Sequence, residues 1–416
     1  MSQIEFPFSQ SNRSQDFPIF LTTMRGKPFT YLDSGATSLT PKQVVDAMSN
    51  YYLNYGVNVH RGVYEFSERA TREYEEVRVK VAAFLGISKS NPKGQVIFTK
   101  STTEASNLLA YSYGRKMLQP GDEILTTGLE HHSTLVPWQP VVQKNQLTMK
   151  FVPLTPQGTY DLQDVIATIS DKTKLAVFSA MSNVTGFIPP LKEMIQFCKS
   201  KGIITMVDGA QYVSHHPINL DELDCDFLYF SAHKMLGPTG LGVLYGKTQL
   251  LDAMDPFLYG GNMILRVTKE YSTYHPLPEK FEAGTPPIAE VIGFGHAIDY
   301  LNTIGMEAIR THEQDLLTYG LKKAQEWGYM ELYGPSNPKI QGAIMSFNIP
   351  GVHSHDIGTL LDSQGVAVRT GVHCAQPFME TLGTSGTIRA SMYLYNTKED
   401  IDILFDALEK ARNIFI

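Results

Sequence analysis

Cysteine is scarce in this chain of 416 residues, which contains only Cys198, Cys225 and Cys374. An odd and sparse set argues against a disulfide framework and favours the cytoplasm, where thiols stay reduced. Long apolar runs are also missing. None approaches the roughly 20 residues that a membrane-spanning helix needs, and residues 1–18 lack the apolar core of a secretory signal. We therefore expect a cytoplasmic protein without a membrane partner, in which Cys198 and Cys225, in apolar surroundings, are structural.

Basic residues are not in surplus, because 35 Lys and Arg stand against 42 Asp and Glu, for a net charge of −7. Without a basic cluster the chain has no electrostatic footprint for nucleic acid, so we expect no such partner. The hydrophobic content of 43% is enough for a large core, and the length suggests two or three domains. No internal repeat or low-complexity segment is present, which disfavours a solenoid or a disordered tail.

Short β-branched runs alternate with amphipathic stretches from about residue 94 to 246, a pattern typical of a mostly parallel sheet covered by helices. Candidate strands are 95–99, 123–127, 149–153, 174–179, 203–207, 227–230 and 242–245. Candidate helices are 104–117, 162–169 and 191–201. The Gly-, Pro- and aromatic-rich stretch 255–287 is interpreted as ordered loop and domain connection. A long helix from Ile288 then leads into a smaller α/β region, with strands near 343–348 and 366–369.

Lys234 follows a candidate strand, among small and phosphate-friendly residues in Phe230-Ser-Ala-His-Lys-Met-Leu-Gly237. Asp208 follows another candidate strand, 26 residues earlier. In enzymes that use pyridoxal phosphate, a lysine holds the cofactor aldehyde as an imine and a carboxylate keeps the pyridine nitrogen protonated. A strand-terminal Asp is common in any α/β protein, and most lysines are surface groups. The pair therefore indicates this cofactor only together with further site residues.

Ser101, Thr102 and Thr103 lie between a candidate strand and a candidate helix. Free amides and hydroxyls at a helix N-terminus, with the helix dipole, make an anion site suited to a phosphate. Ser231 and His233, just before the lysine, are candidates for the remaining donors. The alternative for the first group is an ordinary Ser/Thr helix cap.

Two adjacent histidines, His131 and His132, occupy a predicted loop in Glu130-His-His-Ser133. One of them could stack on an aromatic cofactor ring and transfer protons. Because no Cys or further His lies at a customary ligand spacing, we expect no metal here. A simple polar contact remains the alternative role for these loop histidines.

Cys374 lies in a Gly-bearing loop, Arg369-Thr-Gly-Val-His-Cys374, where Arg369 and His373 are neighbours that favour a thiolate. A lone cysteine is more commonly a small buried hydrophobe, so the loop alone does not assign a catalytic role. Arg389 follows 15 residues later, and its guanidinium is suited to binding a substrate carboxylate through two parallel hydrogen bonds.

Together these motifs resemble the fold-type I pyridoxal phosphate enzymes of the class V aminotransferase group, and within it the SUF-type (group II) cysteine desulfurases. The likeness runs through nearly the whole chain. It is carried by Tyr31-Leu-Asp-Ser34, Asn58-Val-His-Arg-Gly62, Glu130-His-His132, Val207-Asp-Gly-Ala-Gln211, Ser231-Ala-His-Lys234, Phe281-Glu-Ala-Gly-Thr285 and Arg369-Thr-Gly-Val-His-Cys374. The short spacing from Cys374 to Arg389 is similar to that of group II members.

The resemblance implies an α/β fold in three parts. Residues 31–287 would form the large cofactor-binding domain, with a mostly parallel seven-stranded sheet. Residues 288–416 would form a smaller α/β C-terminal domain that carries the cysteine loop, and residues 1–30 would pack on this small domain. The resemblance also implies a homodimer whose active sites lie at the subunit interface.

The resemblance further implies a role for each site residue. Lys234 would anchor the cofactor and remove the substrate Cα proton, Cys374 would be the nucleophile, and His131 would stack over the cofactor ring. The implied cofactor-binding residues are Thr102, Thr103, His131, Asn183, Asp208, Gln211, Ser231, His233, Lys234 and, from the partner subunit, Thr285. The implied substrate-binding residues are Asn183, Arg369 and Arg389.

The implied reaction converts L-cysteine to L-alanine and leaves a persulfide on Cys374, which a SUF-type acceptor protein takes up for iron–sulfur cluster assembly. Alternatives are another class V aminotransferase, a lyase for selenocysteine or cysteine sulfinate, and a non-catalytic sulfur-transfer scaffold. An ordinary transaminase needs no such thiol, so Cys374 is the discriminating residue. Two positions depart from the family pattern: Val372 replaces a common histidine, and Lys100-Ser101 replaces a common Arg-Gly.

Overall fold

The computed structural model describes residues 6–90 and 92–415. Its strands are β1 (Thr23–Met24), β2 (Lys27–Pro28), β3 (Thr30–Tyr31), β4 (Gly94–Thr99), β5 (Glu123–Thr127), β6 (Thr148–Val152), β7 (Thr173–Ser179), β8 (Ile204–Asp208), β9 (Phe227–Ser231), β10 (Gly242–Lys247), β11 (Ile264–Val267), β12 (Ser272–Tyr274), β13 (Glu331–Tyr333), β14 (Ile344–Asn348), β15 (Val366–Ala367), β16 (Arg369–Gly371) and β17 (Thr387–Ser391).

The helices are α1 (Lys42–Asn54), α2 (Glu65–Phe84), α3 (Thr102–Leu108), α4 (Arg115–Met117), α5 (His132–Leu135), α6 (Trp138–Asn145), α7 (Leu162–Thr168), α8 (Leu191–Ser200), α9 (Leu220–Leu223), α10 (Thr248–Ala253), α11 (Ile288–Ile304), α12 (Met306–Trp327), α13 (Ser354–Ser363), α14 (Gln376–Thr381) and α15 (Lys398–Phe415). A π-helical stretch, Leu109–Gly114, joins α3 to α4, so the predicted helix 104–117 is continuous but not uniformly α. Within the described part of the chain, no helix combines the length and apolarity needed to cross a bilayer.

A seven-stranded sheet forms the centre of the fold, in the order β4-β10-β9-β8-β7-β5-β6. Strands β5 to β9 are parallel, and β10 runs antiparallel to both β9 and β4. Every residue of β5 and of β9 is buried, as expected for strands covered by helices on both faces. The predicted mostly parallel seven-stranded sheet is therefore confirmed, with strand limits that differ from the predicted ones by at most two residues.

A second, four-stranded antiparallel sheet has the order β13-β14-β17-β16. Helices α12, α13 and α15 pack on it around a separate apolar core that includes Leu317, Phe347 and Leu408. Strand β17 lies inside this sheet and pairs with β16 so that Arg389 is directly opposite Arg369. The sheet thus presents both predicted substrate-binding arginines side by side.

Helix α11 packs on α1 and α2, and its residues Val291 and Phe294 belong to the same core cluster as Val77 of α2. The proposed division at residue 288 therefore falls at the start of a helix that is continuous with the large core. In the N-terminal segment, Arg13 forms a buried ion pair with Asp400 of α15, at 2.5 Å. The three-part division stays a prediction, and residues 1–5 of the segment lie outside the described residues.

The stretch 255–287 is not only loop, because β11 and β12 pair there as an antiparallel hairpin. The local sequence explains this hairpin. Ile264-Leu-Arg-Val267 and Ser272-Thr-Tyr274 are short runs with β-branched and aromatic residues, whose strand preference outweighs the surrounding Gly and Pro.

Candidate active site

A cavity of about 190 Å³ opens between the carboxyl ends of the central strands and the four-stranded sheet. Most of the predicted site residues line it together. They are Thr102, Thr103, His131, Asn183, Asp208, Gln211, Ser231, His233, Lys234, Arg369 and Arg389. Cys374 and Thr285 are not among the lining residues. The individual roles stay predictions, but the chain brings these eleven side chains to one place.

Parallel strands place Lys234 and Asp208 in this cavity. Asp208 is the last residue of β8, and Lys234 lies in a single 3-10 turn directly after the neighbouring strand β9. Carboxyl ends of adjacent parallel strands meet at one sheet edge, which is where ligands of such sheets bind. Removal from bulk water lowers the pKa of Lys234 to about 8, against the opposing attraction of Asp208. A substantial fraction of the amine is therefore neutral near physiological pH.

Both carboxylate oxygens of Asp208 accept hydrogen bonds. The Thr134 hydroxyl donates to Oδ2 at 2.5 Å, and the Ala210 amide donates to Oδ1 at 2.9 Å. Burial raises the pKa of Asp208 above its usual value, and Thr134, Ala210 and the charge of Lys234 offset only part of this rise. These donors therefore favour the ionised form that a protonated pyridine nitrogen requires. Sequence reasoning missed Thr134, since only the placement of α5 brings it to Asp208.

We expect the substitution Thr134→Val to weaken binding of pyridoxal phosphate by about 10-fold or more, because a hydrogen bond to a charged group contributes about 1.5–3 kcal/mol. Thr134→Ser, which keeps the hydroxyl, is the matched control and should bind as the wild type does. Titration of the apoprotein with the cofactor, followed by absorbance, measures the dissociation constant. Equal affinities for the valine and serine variants would contradict the assigned role of Thr134.

The N-terminus of α3 faces the same cavity through Ser101, Thr102 and Thr103. Ser101 is the N-cap of α3, and its hydroxyl accepts a hydrogen bond from the Glu104 amide at 3.2 Å. The alternative prediction of a Ser/Thr helix cap therefore applies to this residue. Thr102 donates its amide to Ser231 Oγ at 2.8 Å, and the two hydroxyls lie 2.6 Å apart. These bonds thus bring together the two predicted parts of the phosphate site, the N-terminus of α3 and the end of β9.

Gly242 permits this approach of the α3 N-terminus to the sheet. A Cβ at this position of β10 would lie 2.5 Å from the carbonyl carbon of Ser101, closer than real atoms come. Any other residue would displace the turn that carries the phosphate donors. Gly242→Ala is consequently incompatible with the site as built.

The ring of His131 is held in one neutral form. Its Nδ1 accepts the Ser133 amide at 3.0 Å, so the proton of the neutral ring lies on Nε2. Burial, and then the charge of Lys234, lowers the pKa of His131 to about 3. The ring is therefore uncharged at physiological pH and is suited to stacking, but it is a weak base.

Arg389 is buried in β17 and is oriented by two partners. Its Nη1 donates to the Asn183 carbonyl at 2.8 Å, and its Nη2 donates to Asp33 at 3.0 Å. Its Nε is buried and has no hydrogen-bond partner among the described residues. Arg389 itself lines the cavity, where a guanidinium fits an incoming carboxylate. Gln211, also at this wall, donates to the Gly35 carbonyl at 2.7 Å.

Cys374 is half-buried, and Arg369 Nη2 donates to its Sγ at 3.4 Å. Its charge, when ionised, raises the pKa of Lys234, so the two groups are within electrostatic reach. Thr285 instead lines a separate cavity of about 230 Å³ with His60 and Arg61. Its predicted contact with the cofactor of a partner subunit stays a prediction.

Glu130 is a buried carboxyl next to this site. In the sequence it belongs to the motif Glu130-His-His-Ser133, and no role was predicted for it. It accepts hydrogen bonds from Thr127 at 2.7 Å and from Ser179 at 2.5 Å. Burial, together with the nearby charge of Asp208, raises its pKa to about 8. Glu130 is therefore largely neutral at physiological pH.

The cavity residues fit pyridoxal phosphate with an amino acid beside it. They supply an amine of lowered pKa, a buried carboxylate whose oxygens accept hydrogen bonds, hydroxyls at a helix N-terminus and the guanidinium of Arg389. Each of these groups matches one part of the ligand: the aldehyde, the pyridine nitrogen, the phosphate and the substrate carboxylate, respectively.

Comparison with known proteins identifies relatives of this chain. A family profile described as aminotransferase class V matches residues 30–404. The chain is 47% identical over 399 residues to a probable cysteine desulfurase of Halalkalibacterium halodurans, covering 96% of this chain and 97% of that protein. It is 42% identical over 425 residues to a cysteine desulfurase of Haloferax volcanii, covering 99% of each. The apo structure of a cysteine desulfurase from Thermococcus onnurineus superposes with a TM-score of 0.91 at 38% identity, covering 99% of this chain and 100% of that one.

Proposed function

Because the chain belongs to the class V aminotransferase family, we propose that it is a pyridoxal phosphate-dependent cysteine desulfurase that converts L-cysteine to L-alanine and keeps the sulfur on Cys374. One observation carries the proposal: Cys374 Sγ lies against Arg369, which itself lines the cavity that holds Lys234 and Asp208. The full-length relatives named above support the same activity. A transaminase would require the lysine and the aspartate, but not this cysteine.

Lys234, Asp208 and the phosphate-site hydroxyls would hold the cofactor. When bound, pyridoxal phosphate supplies a protonated ring that accepts electrons from the substrate Cα. Arg389, which lines the cavity, binds the substrate carboxylate, and Asp33 and the Asn183 carbonyl fix the guanidinium in place. Lys234, whose pKa of about 8 leaves a useful fraction as free amine, removes the Cα proton.

Cys374 takes the sulfur. Its thiolate attacks the substrate sulfur, so an S–S bond forms while the substrate Cβ–S bond breaks, and the released electron pair is protonated at carbon. L-cysteine and the Cys374 thiol thus become L-alanine and a Cys374 persulfide, with no external oxidant or reductant. Arg369 Nη2 donates to Sγ at 3.4 Å and so orients the attacking sulfur.

The test is a balance of products. The cofactor-loaded protein is given L-cysteine, and alanine and protein-bound persulfide are quantified in a first turnover. One alanine per persulfide at Cys374 supports the proposal. Alanine without persulfide, or 3-mercaptopyruvate from amino-group transfer, would instead indicate another reaction of the family. Parallel assays with selenocysteine and cysteine sulfinate establish the preferred substrate, and a protein that binds no cofactor would fit the scaffold alternative.

We expect capture of the cofactor by the apoprotein to be pH-dependent, because only the neutral Lys234 amine adds to an aldehyde. Its pKa of about 8 predicts a rate that rises with pH and levels off above this value. The rate of appearance of the visible cofactor band measures the effect across this pH range. A midpoint at the ordinary lysine value of about 10.4 would show that Lys234 is not desolvated.

We further propose a homodimer in which Thr285 reaches the phosphate in the neighbouring subunit, and a SUF-type acceptor protein that receives the persulfide for iron–sulfur cluster assembly. The separate position of Thr285, outside the cavity of its own chain, supports the first. The short segment between Cys374 and Arg389, which contains the helix α14, supports the second by likeness to group II enzymes. Val372 is exposed beside Cys374, where such an acceptor would approach.

A further inference from the structure

The backbone that carries Cys374 adopts an uncommon conformation. Gly371, His373 and Cys374 all have positive φ angles, of 105°, 50° and 57°. Only glycine adopts this region readily, and two successive non-glycine residues there are rare. The loop therefore depends on contacts from outside itself to keep this shape.

Some of these contacts come from the loop's own sheet and from one predicted site residue. His373 Nε2 lies 2.8 Å from the Thr387 hydroxyl of β17. Asn183 Nδ2 donates to the His373 carbonyl at 2.7 Å, so the residue predicted to bind cofactor and substrate also holds the loop. These bonds fix the residue before the nucleophile.

His132 holds the loop at the nucleophile itself and just after it. Its backbone amide donates to the Cys374 carbonyl at 2.7 Å. Its ring Nε2 accepts the Gln376 amide at 3.0 Å. Gln376 is the first residue of α14, whose initial amides have no partner within the helix. The imidazole therefore caps α14 at its N-terminus. The two bonds of His132 hold the backbone at Cys374 and at Gln376, on either side of Ala375.

We propose that His132 is a positioning residue that fixes the Cys374 loop against α5, so that Sγ stays aligned with the cavity. His132 itself is absent from the cavity lining, whereas its neighbour His131 is part of it. The N-terminus of α5 thus supplies His131 to the cavity and His132 to the Cys374 loop. The inference rests on the proposed function only in taking Cys374 as the nucleophile.

The test compares His132→Leu with His132→Gln, since leucine removes the ring acceptor and glutamine can still place an acceptor near Gln376. Both variants keep the backbone bond to Cys374. We expect His132→Leu to lower kcat for L-cysteine by about 100-fold with little change in KM, because misplacement of a reacting group by 1 Å has an effect of this size. His132→Gln should recover most of the rate, and the absorbance of the bound cofactor should be unchanged in both.

Two further readouts do not depend on turnover. In His132→Leu the Gln376 amide should exchange its hydrogen faster, and Cys374 should be alkylated several-fold faster than in the wild type. The buried Cys198 and Cys225 are internal controls, because general destabilisation would expose them as well. If the leucine variant does not fold, His132→Ala and the glutamine variant provide the same comparison.

Unchanged exchange at Gln376 and unchanged alkylation of Cys374 in His132→Leu would overturn the inference, whatever happens to kcat. Alkylation of all three cysteines in parallel would also overturn it, since it would indicate a general effect on stability. If the wild type releases no alanine, the proposed function fails, while exchange and alkylation still decide the role of His132.

Discussion

Replacing Lys234 by alanine is expected to lower the rate of alanine release from L-cysteine by more than about 10,000-fold and to abolish the visible band of covalently held cofactor. Among the described residues that line the cavity, Lys234 is the only lysine. Burial lowers the pKa of Arg389, but a guanidinium paired with Asp33 is a poor replacement for an amine as a base. His131, with a pKa of about 3, is a far weaker base than an amine with a pKa of about 8.

The matched control is Lys247→Ala. Lys247 is also a largely buried lysine of the central sheet, and it pairs with Asp226 at 2.9 Å, away from the cavity. Its loss should reduce the thermal stability but leave turnover per folded molecule close to that of the wild type. A Lys234→Ala protein that retains more than about 1% of the wild-type rate, measured as alanine released, would contradict both roles of this lysine.

Lys234 and Asp208 could be predicted from the sequence because strand order follows from local patterns. The two residues end or follow β-rich runs 26 residues apart, and a parallel connection of that length places consecutive strands side by side. The same reasoning brought Thr102 and Ser231 to one edge, where their hydroxyls lie 2.6 Å apart. These positions depend on periodicity and chain direction, which a single sequence displays.

Contacts that depend on the tertiary placement of loops and short helices could not be predicted from local sequence patterns. Thr134 reaches Asp208 only because α5 turns back over the end of β8. Asp33 pairs with Arg389 across 356 positions of the chain, and no local signal links them. Strand β17, which carries Arg389, alternates polar and apolar residues in its sequence, a pattern typical of a half-exposed strand, yet all five positions are buried.

The electrostatic properties of the site were also hidden in the sequence. Glu130 and His131 are adjacent, yet burial raises the pKa of one to about 8 and lowers the pKa of the other to about 3. In both cases burial disfavours the charged form, so both groups are largely neutral at physiological pH. The motif therefore supplies an uncharged ring over the cavity and an uncharged acid behind it, a result that residue identity alone does not give.

Replacing Cys374 by alanine should leave cofactor binding intact and lower desulfuration of L-cysteine by at least about 1,000-fold, because the step that receives the sulfur has no other nucleophile. Among the described residues, the side chain of Cys374 makes one polar contact, with Arg369, and the backbone bond to His132 is unaffected by the change. The loop should therefore persist around the missing sulfur. Alanine release and mass-spectrometric detection of a persulfide on the tryptic peptide measure the effect.

Cys198→Ser and Cys225→Ser are the controls for loss of a thiol. Burial raises the pKa of both groups to about 12, so neither is a thiolate near physiological pH, and neither variant should change turnover per folded molecule. Undiminished alanine release by Cys374→Ala would refute the proposed mechanism, even with the cofactor bound. A loss confined to Cys374→Ala, with the cofactor retained, would separate sulfur transfer from the transamination that the same lysine and aspartate also support.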